Sequence, residues 1–178
     1  LLVEPIQVPT ALQQALDALP PEAKWAVDCC STTDNGLHIA TSLTQGRIGS
    51  TIPCQAVTDA SLLYPIGASG FILTGPGNAC KVRGVNVVPG PLLPGDSYRC
   101  ELAGLIGIFT LLNCICQVHN ITQGEVEIAC DNQATLRVFQ PWFVPEPNAK
   151  SFDLVNSLHH LIKSSPLTHQ ATWVKGHQ

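Results

Sequence analysis

Ser97-Tyr98-Arg99-Cys100-Glu101-Leu102-Ala103-Gly104-Leu105-Ile106-Gly107-Ile108-Phe109-Thr110-Leu111-Leu112 decides the fold. Apolar residues at positions 98, 102, 105, 106, 109 and 112 keep helical spacing. Pro94-Gly95-Asp96-Ser97 sets up the helix start, with Asp96 or Ser97 as its cap and Glu101 in its first turns. Downstream the helix is apolar enough to raise the question of a membrane span. Gly104, Gly107, Thr110 and Asn113 interrupt it, and no run of 18 or more apolar residues exists. It reads as a buried helix, and no membrane partner is expected.

On the N-terminal side of that helix the pattern is of strands and tight turns. Residues 56–59 read as a strand, Gly67-Ala68-Ser69-Gly70 precedes a second at 71–74, and Gly75-Pro76-Gly77-Asn78 turns into a third over 81–88. Turns this short imply antiparallel hairpins. On the C-terminal side, Gly124 opens a fourth strand. In it Val126, Ile128 and Cys130 face one way, and Glu127, Ala129 and Asp131 the other. Short helices follow over 132–139 and 151–163, then a fifth strand over 168–174. The order β-β-β-α-β-α-α-β predicts an α/β fold with a mixed five-stranded sheet: three antiparallel strands, then two running parallel to the first, flanked by helices.

Residues 1–54 look different. A helix is expected from Thr10 through Leu19, stopped by Pro20-Pro21, then a short strand over 24–30, a turn at Asp34-Asn35-Gly36 and a helix over 37–43. The segment carries no chemical constellation. It reads as a leader or connection that packs against, or links into, a main domain at 55–178.

Only 12% of the residues are charged, yet Asp59, Glu101 and Asp131 each lie in an apolar stretch expected to be at least half buried. Charges are rare there unless paired or holding a metal. The first and fourth strands can be neighbours, which would set Asp59 beside Asp131. Asp131 falls at a strand's carboxyl end, where open α/β sheets place their sites. Three such carboxylates repel one another unless a cation sits between them. All-oxygen ligands suit Mg2+ or Mn2+, which bind substrate phosphates and can activate water.

Singly, each acid has a blander reading: Asp59 as a turn residue, Glu101 as a helix-dipole partner, Asp131 as a helix cap. The remaining composition bounds the function. A 45% hydrophobic content supports a real core, and the net charge of −4 argues mildly against strong nonspecific nucleic-acid binding. Eight cysteines at no regular spacing read as reduced, buried, intracellular thiols rather than a disulfide framework or a zinc site. The adjacent His159-His160 face different sides of a helix and make a poor metal pair. Trp25, Trp142 and Trp173 read as packing anchors.

Val57-Thr58-Asp59-Ala60-Ser61, Tyr98-Arg99-Cys100-Glu101-Leu102-Ala103-Gly104, Ala129-Cys130-Asp131-Asn132-Gln133-Ala134 and Trp173-Val174-Lys175-Gly176-His177-Gln178, in this order and spacing, resemble type 1 ribonuclease H. They are most similar to the ribonuclease H domain of retrotransposon polyproteins, which lies downstream of a reverse transcriptase. The resemblance covers about residues 55–178. It implies a ribonuclease H-like fold that cuts the RNA strand of an RNA–DNA hybrid with two Mg2+ ions, Mn2+ being an alternative.

Carried over by residue, Asp59 would bridge both ions, and Glu101 and Asp131 would hold the one on the leaving-group side. His177 would assist proton transfer and product release. Ser61 and Asn132 would contact the nucleic-acid backbone. The family's fourth acid, on a final helix, would lie beyond Gln178, so the chain is expected to be a piece of a longer polyprotein that cleaves weakly or not at all by itself. A non-catalytic module of the same fold is the competing class. A related polynucleotidyl transferase is a weaker third.

Overall fold

The protein is described here from a computed structural model, which describes residues 8–32, 34–78 and 81–176. The chain begins with α1 (Ala11–Asp17), whose start Thr10 caps by accepting a hydrogen bond from the Gln13 amide at 3.2 Å. Pro20-Pro21 ends α1, but Pro21 is also suited to a first helical turn, and a one-turn helix α2 (Pro21–Lys24) forms there. The strand expected over 24–30 is therefore cut to β1 (Cys29–Ser31), with Ala26 and Val27 buried in the preceding turn. After α3 (Leu37–Thr44) come β2 (Gln55–Leu63), β3 (Ile66–Thr74), β4 (Lys81–Val87), α4 (Ser97–Val118), β5 (Gly124–Cys130), α5 (Gln133–Leu136), α6 (Phe152–Ser164) and β6 (Leu167–Trp173).

The six strands form one sheet in the order β1-β4-β3-β2-β5-β6. β1 through β4 pair antiparallel, while β2–β5 and β5–β6 pair parallel. The α/β architecture and mixed sheet expected from the sequence hold, with β1 as one extra edge strand. The β2–β3 hairpin is longer than expected. Its pairing runs from Gln55–Thr74 to Leu63–Ile66 around the two residues Tyr64 and Pro65. The glycine-rich stretch 67–70, read as preceding the second strand, lies inside β3, and a Cβ on Gly67 would come within 2.6 Å of the Cys100 sulfur. Glycine there marks close approach of a helix rather than a turn.

That helix is α4. It is long and apolar enough to cross a membrane by composition, but 17 of its residues are buried, against β2, β3, β4, α1 and α6. Its glycines face the sheet. A Cβ on Gly104 would stand 1.9 Å from Thr58 Oγ1, and one on Gly107 2.3 Å from Phe71 Cε1. Gly104 and Gly107, two of the residues that broke the apolar run in the sequence, thus let the helix lie close on the strands.

The N-terminal segment shares this core: Leu12, Leu16, Ile39, Leu43 and Cys54 are buried in the same apolar cluster as α4 and β5. A buried polar knot ties it in further. Asn86 on β4 donates to the Ala26 carbonyl at 3.2 Å and the Ala103 carbonyl at 3.0 Å, and its Oδ1 accepts from Ser69 at 2.5 Å. The seven described cysteines are all free, five of them buried.

The start of α4 is clamped by a residue to which the sequence reading gave no role. Arg99, 5% exposed, donates to the Pro89 carbonyl through Nε (2.9 Å) and Nη2 (2.8 Å). It also holds Asp153 of α6 bidentately at 2.8 and 2.6 Å. The guanidinium keeps Asp153 below the usual carboxylate range. Asp153→Ala strips a buried cation of its counter-charge and is expected to cost about 2 kcal/mol, read by denaturant unfolding at neutral pH. A depressed carboxylate contributes stability above its unfolded pKa and loses it as pH falls. The difference between wild type and variant should therefore shrink in acid. A constant difference across pH would contradict the pairing.

Candidate active site

Glu101 is placed by α4. Asp96 caps the helix, accepting from the Arg99 amide at 3.4 Å, and one turn later Glu101 turns inward toward β2 and β5. It is 4% exposed. Its carboxylate accepts from the Ala60 backbone amide and from the Cys130 thiol, with Sγ 3.6 Å from Oε2.

Asp131 is the first residue beyond β5. Its backbone is held by β6: the Trp173 indole donates to the Asp131 carbonyl at 2.9 Å, and the Val174 amide to the Cys130 carbonyl at 3.1 Å. The cap of α5 is Asn132, whose Oδ1 accepts from the Ala134 amide at 3.0 Å and the Thr135 amide at 3.2 Å. Because α5 begins one residue later than the sequence suggests, the capping reading of Asp131 falls to Asn132. The Asp131 carboxylate instead abuts the chain after β6, where a Cβ on Gly176 would lie 2.5 Å from Oδ2.

Asp59 corrects the expectation of three buried acids. Along β2 the even positions Ala56 and Thr58 are buried under α4, while Val57, Asp59 and Ser61 are exposed. Strand alternation carries Asp59 to the uncovered side. Its Oδ1 accepts from the Ala60 amide at 2.9 Å. The parallel pairing of Val57 with Ala129, extended by two residues, brings Asp59 level with Asp131, as the strand order implied.

Glu101, Cys130 and Asp131 present donor atoms within 4.8 Å of one another. Asp59 stands beside this group rather than in it. A cleft of about 460 Å³ opens over the site, lined by Val57, Thr58, Asp59, Asp131, Val174, Lys175 and Gly176. The Lys175-Gly176 part of the C-terminal motif therefore reaches Asp131, while His177 lies outside the described residues. Ser61 is exposed on the same strand face as Asp59.

Sequence reasoning passed over Cys130, and read Trp173 as an anchor without placing it beside Asp131. Alternation in β5 already set Cys130 on the α4 side with Val126 and Ile128, but a cysteine in an apolar strand reads as core. Trp142, read as an anchor, is 71% exposed.

Burial, the nearby Asp131 carboxylate and, more weakly, Asp59 push the Glu101 carboxyl up to about 7. Burial likewise pushes the Cys130 thiol up to about 11, so it stands as a neutral donor to Glu101. A divalent cation fits this donor set, since its charge offsets the burial and the Asp131 repulsion that raise the Glu101 carboxyl.

A consequence for metal-free protein follows by linkage. A folded pKa near 7 lies above the unfolded value. The stability it contributes is present in acid and is lost as pH rises from about 4.5 through 7, up to about 3 kcal/mol. Denaturant unfolding in a chelator should show this decline, and a saturating divalent ion should reduce it. Stability that rises over that interval without metal would sink the assignment.

No protein-family profile matches the chain, and no curated protein does. Solved structures do show similarity. Ribonuclease H1 from the halophilic archaeon Halobacterium salinarum NRC-1 aligns at 13% identity and a TM-score of 0.45, over 68% of this chain and 85% of that one. The N-terminal RNase H domain of Rv2228c from Mycobacterium tuberculosis, solved as a fusion with maltose-binding protein, aligns at 13% identity and TM-score 0.46, covering 68% and 82%. LC11-RNase H1 in complex with an RNA/DNA hybrid aligns at 13% identity and TM-score 0.48, covering 67% and 85%. The chemistry rests on this chain's own residues.

Proposed function

We propose that the chain is a metal-dependent endonuclease of the ribonuclease H type, hydrolysing the RNA strand of RNA–DNA hybrids within a retroelement polyprotein, beside its reverse transcriptase domain. The observation that carries this reading is the meeting of Glu101 and Asp131 at the carboxyl end of β5, with Asp59 level with them on the next strand. Two Mg2+ ions, or Mn2+, would be held by Asp59, Glu101 and Asp131, and would supply water activation and stabilisation of the leaving oxygen. Glu101 gives rigidity, being buried and hydrogen-bonded. Asp59 and Asp131 face the cleft that a phosphodiester would enter. Lys175, exposed at its rim, is placed to attract a phosphate backbone, and Ser61 to contact it.

The test is cleavage of a labelled RNA–DNA hybrid with Mg2+ or Mn2+, with single-stranded RNA and duplex DNA as controls, by the chain and its Asp59→Asn variant, each carried within a longer polyprotein fragment. Hybrid-specific cleavage lost in Asp59→Asn is the expected result. Equal cleavage by both proteins would eliminate the site. The second reading, a non-catalytic module that binds nucleic acid, draws on the position of Asp59 outside the close donor group. It would appear as hybrid binding without metal-dependent cleavage.

A further inference from the structure

We propose that Cys130 is a ligand in this site and gives it a preference for thiophilic divalent ions of the Zn2+ class over Mg2+. The inference rests on the divalent-metal reading above but not on hybrid cleavage. Three observations support it. The Cys130 sulfur is 0% exposed and lies 3.6 Å from Glu101 Oε2. Metal–sulfur and metal–oxygen bonds of about 2.3 and 2.0 Å meeting at a tetrahedral angle span about 3.5 Å, so the pair already has the spacing of one tetrahedral edge. Asp131 completes three donors within 4.8 Å of one another, and Asp131 itself lines the cleft through which an ion would enter.

The sulfur is also supported as a ligand would be. The Asn132 amide donates to it at 3.4 Å, and the Thr135 hydroxyl lies 3.3 Å away. Such outer contacts orient a metal-bound thiolate and ease its charge. On binding, the ion replaces the thiol proton, which leaves to solvent, and no redox change is involved. An all-oxygen set suits Mg2+, whereas one thiolate among two carboxylates tilts selection toward softer ions.

Cobalt(II) is the probe, because a cobalt–thiolate bond adds a sulfur-to-metal charge-transfer absorption that carboxylates lack. In titrations of the whole chain, wild type should develop this band near one equivalent and keep most of it in about a hundredfold excess of Mg2+. Cys130→Ser should lose it, and any band it retains belongs to other thiols. Asp131→Asn keeps the sulfur and should weaken cobalt binding at least about tenfold, which decides the matter if Cys130→Ser fails to fold. An equal band in Cys130→Ser, no band in wild type, or unchanged cobalt affinity in Asp131→Asn would each overturn the proposal. Hybrid cleavage is read separately. Loss of cleavage with the cobalt band intact defeats the nuclease reading alone, and cleavage without the band defeats this one alone.

Discussion

Glu101→Gln is expected to remove hybrid hydrolysis and, in the same protein, to raise metal-free stability above neutral pH. Glutamine fills the same space between α4 and the strands and can still accept from the Ala60 amide, so packing is preserved. What it removes is the negative charge that a cation needs, and loss of a metal-holding carboxylate should cost on the order of a thousandfold in rate. Stability moves the other way. The wild-type carboxyl, raised to about 7 by burial and by Asp131, must ionise at a cost as pH rises, whereas the amide has nothing to ionise. At pH 8 without metal the variant should gain up to about 3 kcal/mol, and the gain should vanish near pH 4. Unfolding curves at the two pH values, alongside the cleavage assay, check both halves. A variant less stable than wild type at pH 8 would mean that Glu101 is a structural acid.

The second large effect is at Gly107. Alanine in a helix interior normally gains about 1 kcal/mol over glycine, yet Gly107→Ala is expected to lose about 3 kcal/mol. The added Cβ would stand 2.3 Å from Phe71 Cε1, and the ring cannot retreat, because it already lies against the Gly84 backbone, so close that a Cβ there would come within 2.1 Å of its tip at Cζ. Phe71 is 2% exposed and fills the gap between sheet and helix. Relief requires lifting α4 off β3, which would draw Glu101 away from Ala60 and Cys130. Hydrolysis should therefore fall together with the thermal midpoint. The reversal of sign is the diagnostic: a stabilised Gly107→Ala would show that α4 does not lie this close to the sheet.

Much of the frame is legible without coordinates. The spacing of Tyr98, Leu102, Leu105, Ile106, Phe109 and Leu112 marks α4, and Asp96, one of the two residues read as its cap, is the cap. Alternation in β5 separates Val126, Ile128 and Cys130 from the opposite face. Short turns make β2, β3 and β4 an antiparallel set. β1 was harder to read, since Pro21 serves equally as the end of one helix and the start of another. The glycines of β3 and α4 resisted reading for a related reason. A glycine signals a turn or a close contact with the same letter, and only the partner, Cys100, Thr58 or Phe71, tells which.

Sequence alone determined which elements carry the acids: Asp59 on a strand, Glu101 in the first turns of the long helix, Asp131 where β5 ends. Those placements follow from periodicity and capping, which are local properties of the chain. The tertiary structure decided how the acids differ. Burial between α4 and the strands singles out Glu101, alternation turns Asp59 outward, and the start of α5 at Gln133 leaves the cap to Asn132 rather than Asp131. It also brought Cys130 to the carboxylates, because contact between a strand and a helix 29 residues apart in sequence depends on how closely the two pack, which no local pattern records.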